Sequence, residues 1–569
     1  MCGIAGIFSS ANALEDRKIK LGAMLQKQLH RGPDATQEWH DLQCSLGHNR
    51  LSIIDLSKEA NQPMHSYCDR YVVVFNGEIY NYLEIKKELS PFFQFQTQSD
   101  TEVLLNAYIH WGSDFLHHLN GMFSIAIWDK KLQSLFIARD RFGVKPFYYF
   151  ADSHQFTFAS EIKTLWASGI SKFPNKKVWA NYLSYGTYGL PNETFWSSIH
   201  QLPAGHFALI SLENLATFQP QKWYDFVSRI QNTPVLEIPE LKKQYSALLK
   251  DAIQLRFRAD VPLGMNVSGG LDSSTLIALI HENLPATKNI EAYTFYCNDV
   301  NYDELPWVEL LLENKPYPLN KIALKATDIP QLISKISENQ DEPFGGFPTL
   351  AYSLLFEAAQ KNGVKVVLDG QGMDEAWAGY DYYYNQSGSV IQGVLTSPVR
   401  PEVLDADFIS LAEKELYPKP FTSELQNMQY RDLFYTKIPR ALRFNDRISM
   451  LHGTELREPF LDYRLVELAF AQKDSVKYNQ GNSKWMLRQI SQELLSDQVA
   501  LAPKRPLQTP QREWIANELN SYISDKINAF SQLDFVNQEK VQQIWKDYNN
   551  GNQDNSFYIW QWINLVELV

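Results

Sequence analysis

The sequence predicts two domains of different class: a β-rich α+β domain, then an α/β domain built on a parallel sheet. Three observations carry this. The chain has 569 residues, more than one hydrophobic core ordinarily serves. Its first third holds short β-branched and aromatic runs separated by turn formers. From residue 242 onward strand-like and helix-like patterns alternate. Such alternation places a parallel sheet between two layers of helices.

Taken in order, segments 71–75, 122–128, 134–138 and 147–150 read as strands. Across 212–240 the pattern loosens into polar, Pro-containing sequence, suited to a crossing between domains. Domains are therefore expected at 1–215 and 235–569. Residues 242–257 read as an amphipathic helix and 263–267 as a buried strand. Helix over 276–283, strand over 292–296, helix over 351–361 and strand over 364–368 follow. Residues 430–569 read as mainly helical and rich in aromatics. No internal repeat, heptad run or low-complexity tract is present.

Composition narrows the function classes. A charged share of 21% and a hydrophobic share of 44% are those of a soluble globular protein. The net charge of -12 argues against nucleic acid as a partner, since its binders carry a basic face. Only four cysteines occur (Cys2, Cys44, Cys68 and Cys297), and none has zinc-like spacing. So few suit a reducing, cytoplasmic setting. The N-terminus lacks the basic and apolar regions of a secretory signal. No stretch approaches the ~20 apolar residues that span a bilayer, so no membrane partner is expected.

Cys2 follows the initiator Met1. Its side chain is small, which favours removal of Met1 and exposes a cysteine bearing a free α-amino group. That amine has an ordinary pKa of roughly 7.7–8.0 and can serve as general base for its own thiol. An incidental cysteine at position 2 is the plainer reading of that residue alone.

The surrounding segments change this. Met1-Cys2-Gly3-Ile4, His30-Arg31-Gly32-Pro33-Asp34, Arg50-Leu51-Ser52-Ile53-Ile54-Asp55, Phe75-Asn76-Gly77-Glu78 and Ser99-Asp100-Thr101-Glu102 occur in that order. Ala138 to Gly143 and Ala159 to Lys163 extend the pattern. Together they resemble the N-terminal-nucleophile glutaminase domain of class II amidotransferases, which implies an αββα sandwich. The resemblance implies that Cys2 is the nucleophile. It implies that the Asn76 side chain and Gly77 N–H stabilise the oxyanion. Arg50 would hold the glutamine α-carboxylate through its planar fork. Glu78 and Asp100 would position the α-amino group. Asn76-Gly77 by itself is a hairpin-turn dipeptide, and Gly77 suits a positive-φ turn directly after the strand over 71–75. Arg31 and Asp34 read as loop structure near the site.

After the strand over 263–267 comes Ser268-Gly269-Gly270-Leu271-Asp272-Ser273-Ser274, opening a helix. Glycines let backbone approach phosphate, and helix N–H groups favour the anion. No Gly-x-x-x-x-Gly-Lys-Ser/Thr occurs, so this is not the loop of γ-phosphate chemistry. The full motif resembles the pyrophosphate loop of ATP pyrophosphatases, which split ATP into AMP and pyrophosphate. Asp369 to Glu375, Arg447-Ile448-Ser449-Met450, Glu455 to Asp462 and Pro503-Lys504-Arg505 extend the likeness to the synthetase domain of asparagine synthetases. That domain implies a doubly wound parallel sheet with added helices, and ATP and Mg²⁺ as cofactors. Asp272 and Asp374 are the candidate metal ligands, hard oxygen donors suited to Mg²⁺. The resemblance puts Lys484 on the pyrophosphate and lines the AMP moiety with Asn266, Phe295, Asp369 and Gly370. Arg447 and Glu455 to Arg457 would support the site. Ammonia freed at Cys2 would pass through a dry internal channel to the adenylate.

Three positions depart from the pattern. Gln371 stands where well-studied asparagine synthetases carry a Glu thought to handle protons, and Gln is neither acid nor base near neutral pH. Asn266 replaces a usual Leu beside adenine, and Pro506 a usual Gly. The leading expectation is an ATP-dependent ligase converting aspartate to asparagine with glutamine nitrogen. The same chemistry on another carboxylate, such as a uronic-acid sugar in surface-polysaccharide synthesis, is the alternative that Gln371 keeps open. A phosphoribosyl-type glutamine transferase shares the first domain but needs no ATP-cleaving loop. A non-catalytic protein predicts erosion of Cys2 or the loop, and both are intact. Homodimers are common among relatives, though no residue pattern here requires one.

Overall fold

The computed structural model describes residues 2–10, 13–283, 290–384, 397–502 and 508–569. Within 2–222 two six-stranded antiparallel sheets lie face to face. One has strand Gly3–Ser9 between Cys44–Arg50 and Gln155–Ala159. The other centres on Tyr71–Ile79, Gly121–Asp129 and Ser134–Arg139. Alternation decides which side chain goes where. Ile4 and Phe8 point between the sheets with Val72, Val74, Ala126 and Trp128. Ala5 and Ile7 point outward onto Leu21, Met24 and Leu25 of helix Leu14–Lys27. On the opposite outer face Val73, Phe75 and Ile125 meet Val103 and Leu104 of helix Asp100–Trp111. The layers are therefore α, β, β, α.

The chain then crosses through helix Phe226–Asn232 into helix Ile238–Arg256. Its second half folds around five parallel strands in the spatial order Leu319–Ala323, Ile290–Tyr296, Leu263–Asn266, Val366–Leu368, Glu455–Arg457. Helices Ile238–Arg256 and Leu271–Asn283 cover one face through Leu249, Ile253, Leu276 and Ile280. Helices Ile329–Gln340 and Phe347–Lys361 cover the other through Ile333, Ile336, Leu350 and Phe356. This is a doubly wound sheet. Its order reverses on either side of Leu263–Asn266, so the ligand crevice belongs at the carboxyl end of that strand. The closing helix Phe557–Leu568 is apolar nearly all round and accordingly buried.

Two expectations need correction. The strand expected over 71–75 runs on to Ile79, so Asn76-Gly77 lies inside a strand and not in a turn. Gly77 does take a positive φ of 154°, but its reason is close approach: a Cβ there would fall 2.0 Å from the Met122 carbonyl oxygen. Strands Leu319–Ala323 and Glu455–Arg457 were not anticipated. No helix among the described residues is long and apolar enough to cross a membrane.

Candidate active site

Two centres are built, one per half. In the first, Cys2 sits at the start of strand Gly3–Ser9 and is buried. Its backbone N–H donates to Asn76 Oδ1 at 3.0 Å. The Asn76 side-chain Nδ2 is buried and has no partner. Such an orphan donor ordinarily costs stability, and here it belongs to the amide that holds the Cys2 backbone. Cys2, Arg50, Gly77, Glu78 and Asp100 line one pocket; Asn76, the remaining residue expected to meet glutamine, is not among its lining and reaches the site through the Cys2 N–H. Burial pushes the Cys2 thiol up.

The other groups are fixed by their own elements. Arg50 ends strand Cys44–Arg50, and its guanidinium donates to Ser57 O at 2.6 Å, Asn61 Oδ1 at 2.7 Å and the Asp55 carbonyl. These carbonyls hold the fork at the pocket rim. Asp100 opens helix Asp100–Trp111 and accepts the Ile79 N–H at 2.9 Å. Burial pushes its carboxyl up to about 6, despite that hydrogen bond. Burial and neighbouring Glu455 likewise push Glu78 well up.

The second centre lies at the predicted end of the parallel sheet. Ser268 to Gly270 leave strand Leu263–Asn266 and enter the 13-residue helix Leu271–Asn283. Ser268 Oγ lies 3.0 Å from Ser273 Oγ and accepts the Gly270 N–H at 3.4 Å. The Gly269 N–H meets a Glu304 carboxylate oxygen at 3.2 Å, an anion on the loop's own donor. Ser274 is buried in the first helical turn. Gly370 packs on this loop, where a Cβ would sit 3.2 Å from the Ser273 nitrogen.

Lys484 brings the carboxylates together. Its Nζ is 2.6 Å from Asp272 Oδ2 and 2.7 Å from Asp374 Oδ1. Burial opposes its charge, but the two carboxylates outweigh that and hold the ammonium charged. A hairpin pairing Tyr478–Asn479 with Asn482–Ser483 delivers Lys484 in a left-handed conformation, φ 53°. Beside the loop, Asn266, Ser268, Phe295 and Tyr352 line a pocket. Asn266 Nδ2 donates to Asp369 Oδ2 at 3.1 Å and leaves its Oδ1 buried without a partner. Gln371 is half-buried in the turn after Val366–Leu368. Segment 503–507, which includes the Pro-Lys-Arg motif and Pro506, lies outside the described residues, as does Met1.

One residue joins the centres. Arg457, fully buried on the edge strand, accepts the Asp369 N–H on its carbonyl at 3.0 Å. Its guanidinium lies 3.4 Å from Glu78 in the Cys2 pocket and 2.6 Å from Glu455.

A family model described as a glutamine amidotransferase domain matches residues 1–224. A second, described as asparagine synthase, matches residues 244–568, more than half of the chain. The chain belongs to the asparagine synthase family. Among its relatives is asparagine synthetase [glutamine-hydrolyzing] 1 of Bacillus subtilis, 28% identical over 98% of this chain and 95% of the relative. A putative asparagine synthetase of Methanocaldococcus jannaschii is 34% identical over 68% of this chain and 76% of its own length. Amidase chry2 of Gibberella zeae is 26% identical over 90% and 88%. Among solved structures, the glutamine phosphoribosylpyrophosphate amidotransferase from B. subtilis aligns with 56% of this chain and 65% of its own at 15% identity, TM-score 0.30. Family membership makes the protein a carbon–nitrogen ligase of the glutamine amidotransferase kind.

Within this asparagine synthase architecture, Glu304, Tyr302 and Tyr352 in the pocket beside the Ser268–Ser274 loop were not anticipated. They come from a loop and a helix carrying no motif. Gly379 was also missed: it packs so closely that a Cβ would lie 2.0 Å from Asp374 Oδ1 and 2.1 Å from Lys484 Cε.

Proposed function

We propose that the protein hydrolyses glutamine at Cys2 and uses the ammonia to amidate an acyl-adenylate made from ATP and aspartate. Its products would be asparagine, AMP, pyrophosphate and glutamate, made where glutamine and ATP are plentiful, the cytoplasm. The single observation that carries this reading is Arg457, which touches Glu78 of the first centre and the Asp369 backbone of the second at once. Two unrelated activities would not need such a shared residue.

Glutamine enters with its α-carboxylate on Arg50 and its α-amino group between Glu78 and Asp100. The Cys2 thiol attacks the side-chain carbonyl carbon. Negative charge forms on the oxygen, where the unpartnered Asn76 Nδ2 and the Gly77 N–H supply donors. With Met1 removed, the nitrogen now bonded to Asn76 Oδ1 becomes the free amine, held at 3.0 Å from that oxygen. It is thereby fixed close to the thiol it would deprotonate.

In the second centre Asn266 Oδ1 offers an acceptor to the exocyclic amine of adenine, with Phe295 and Tyr352 beside it. The Ser268–Ser274 loop takes the phosphates, displacing Glu304 from the Gly269 N–H. Mg²⁺ fits this donor set, because Asp272 and Asp374 are hard carboxylates already converging on a positive charge. When bound, Mg²⁺ neutralises charge on the departing pyrophosphate. Lys484, whose Nζ lies between the same two carboxylates, would hold the pyrophosphate there.

Gln371 favours a second reading, in which the acceptor is a different carboxylate, since it leaves no acid or base at that position. Incubation with glutamine, ATP, MgCl₂ and a panel of carboxylic acids, followed by mass spectrometry, tests both. Asparagine as the amide product is expected. An amide of another acid alone transfers the assignment to that acid, and no AMP with any acid removes the ligase reading.

A further inference from the structure

Amide formation from ammonia releases one proton, and Gln371 cannot take it. A carboxyl elsewhere in the crevice is placed to do so. Between the two halves lies a cavity with room for about one water-sized molecule, about 20 Å³. Tyr80, Met122 and Val144 form one side, and Arg256, Glu458 and Leu461 the other. Met122 pairs with Glu78 across neighbouring strands, so the cavity begins directly behind the glutamine pocket. Glu458 follows strand Glu455–Arg457, whose last carbonyl holds the Asp369 N–H. The turn at Gly372 also packs against Phe460 and Leu461. Glu458 thus stands at the sheet end beside the nucleotide loop while facing a cavity of ammonia's size.

Glu458 is buried, 6% exposed; its backbone carbonyl accepts the Leu461 N–H at 3.1 Å, and among the described residues its carboxylate forms no ion pair. Its neighbours are committed elsewhere. Arg256 pairs with Asp462 at 2.8 Å, and Asp140 accepts the Lys145 N–H at 3.0 Å. Arg141 donates to Leu119 O at 2.6 Å. We propose that Glu458 is the base that takes the proton from the nitrogen attacking the acyl-adenylate, in the role Gln371 cannot fill. The assignment rests on the ligase reading above. Burial, opposed by Lys145 and reinforced by Asp369, Asp446 and Asp140, pushes the carboxyl up to about 8. A base of that strength suits proton transfer near neutrality. Tyr80 and Tyr463 complete the titratable groups on the cavity wall.

The step balances. The ammonia lone pair forms the C–N bond, and the carbonyl π pair moves to oxygen. The Glu458 carboxylate takes one proton from nitrogen. The oxygen pair returns, the C–O bond to phosphate breaks, and AMP leaves with that pair.

Glu458→Gln and Glu458→Asp test this, read by three assays: glutamine hydrolysis, ATP–pyrophosphate exchange with L-aspartate, and amide formation from ammonium chloride or glutamine. Glu458→Gln is expected to lose roughly 100-fold in amide formation with both nitrogen sources while exchange persists. Glu458→Asp should recover part of the loss. Undiminished amide formation from ammonium chloride overturns the assignment, as does a loss confined to glutamine, which marks a passage wall. Absence of exchange in the unmodified protein with every acid of the panel removes the ligase reading instead. In that event the assignment of Glu458 as base is overturned with it.

Discussion

Arg31 grips Asp446 through both terminal nitrogens, at 2.8 and 3.1 Å, while its Nε donates to the Cys2 carbonyl at 3.1 Å. Asp446 belongs to helix Lys437–Leu451 of the synthetase half. The backbone of the candidate nucleophile is therefore tied to the other half by one guanidinium. Glu161 takes the same Arg31 Nη1 at 2.9 Å and lies 3.2 Å from Arg447. Every member of this cluster is buried.

Removing one partner of a buried pair leaves an uncompensated charge, which costs about 3–5 kcal/mol. Asp446→Ala is expected to lower stability by that order, read as a shift of the urea midpoint. It should also lower glutaminase kcat although Asp446 lies outside the glutamine pocket, because the Arg31 anchor on Cys2 loosens. Unchanged glutamine hydrolysis in a folded Asp446→Ala would show that the anchor is structural only.

Cys2→Ala separates the half-reactions. Glutamine-driven synthesis should disappear, whereas synthesis from ammonium chloride should continue, since the nucleotide centre lacks no residue. Product formed from glutamine in this variant would refute the nucleophile. N-terminal mass spectrometry of the unmodified protein should also show that Met1 is gone.

How much of this was legible in the sequence depends on distance along the chain. The Ser268–Ser274 loop was readable because strand, glycines and helix are contiguous and their geometry is local. Asn76-Gly77 misled as a turn because the dipeptide's commonest use differs from a glycine forced by the neighbouring Met122 carbonyl. Strand Glu455–Arg457 was missed since three residues, two of them charged, carry no strand pattern. Their burial follows from ion pairs with Glu78 and with one another. Such long-range compensation leaves no local signal, and the link between the centres was accordingly invisible.

Gly379 gives a prediction that only packing supplies. Its φ lies outside the left-handed region, so alanine is conformationally acceptable there. The added methyl would nevertheless overlap Asp374 Oδ1 and Lys484 Cε. Gly379→Ala is expected to push those two groups apart and to cut ATP–pyrophosphate exchange at least tenfold, about 1.4 kcal/mol in the transition state. Glutamine hydrolysis should change far less. Equal loss of both activities would point to general unfolding, which circular dichroism would report.

His48 makes the last prediction, on pH. It lies fully buried on strand Cys44–Arg50, with Nε2 3.3 Å from the Phe75 carbonyl oxygen and Nδ1 without a partner. Burial lowers its pKa from 6.5 to about 3, against that hydrogen bond, with Arg50 adding to the depression. The folded state thus binds fewer protons than the unfolded chain between these values. Stability from the neutral ring is present in full above pH 6.5 and falls as pH drops towards 3. The slope is at most about 1.4 kcal/mol per pH unit. Urea midpoints measured over that window should decline, and His48→Gln, which cannot take the charge, should flatten the decline. Because His48 backs the strand residue before Asn76, acid should weaken glutamine hydrolysis before it stops pyrophosphate exchange. A decline of the same steepness in His48→Gln would assign the acid sensitivity to other groups.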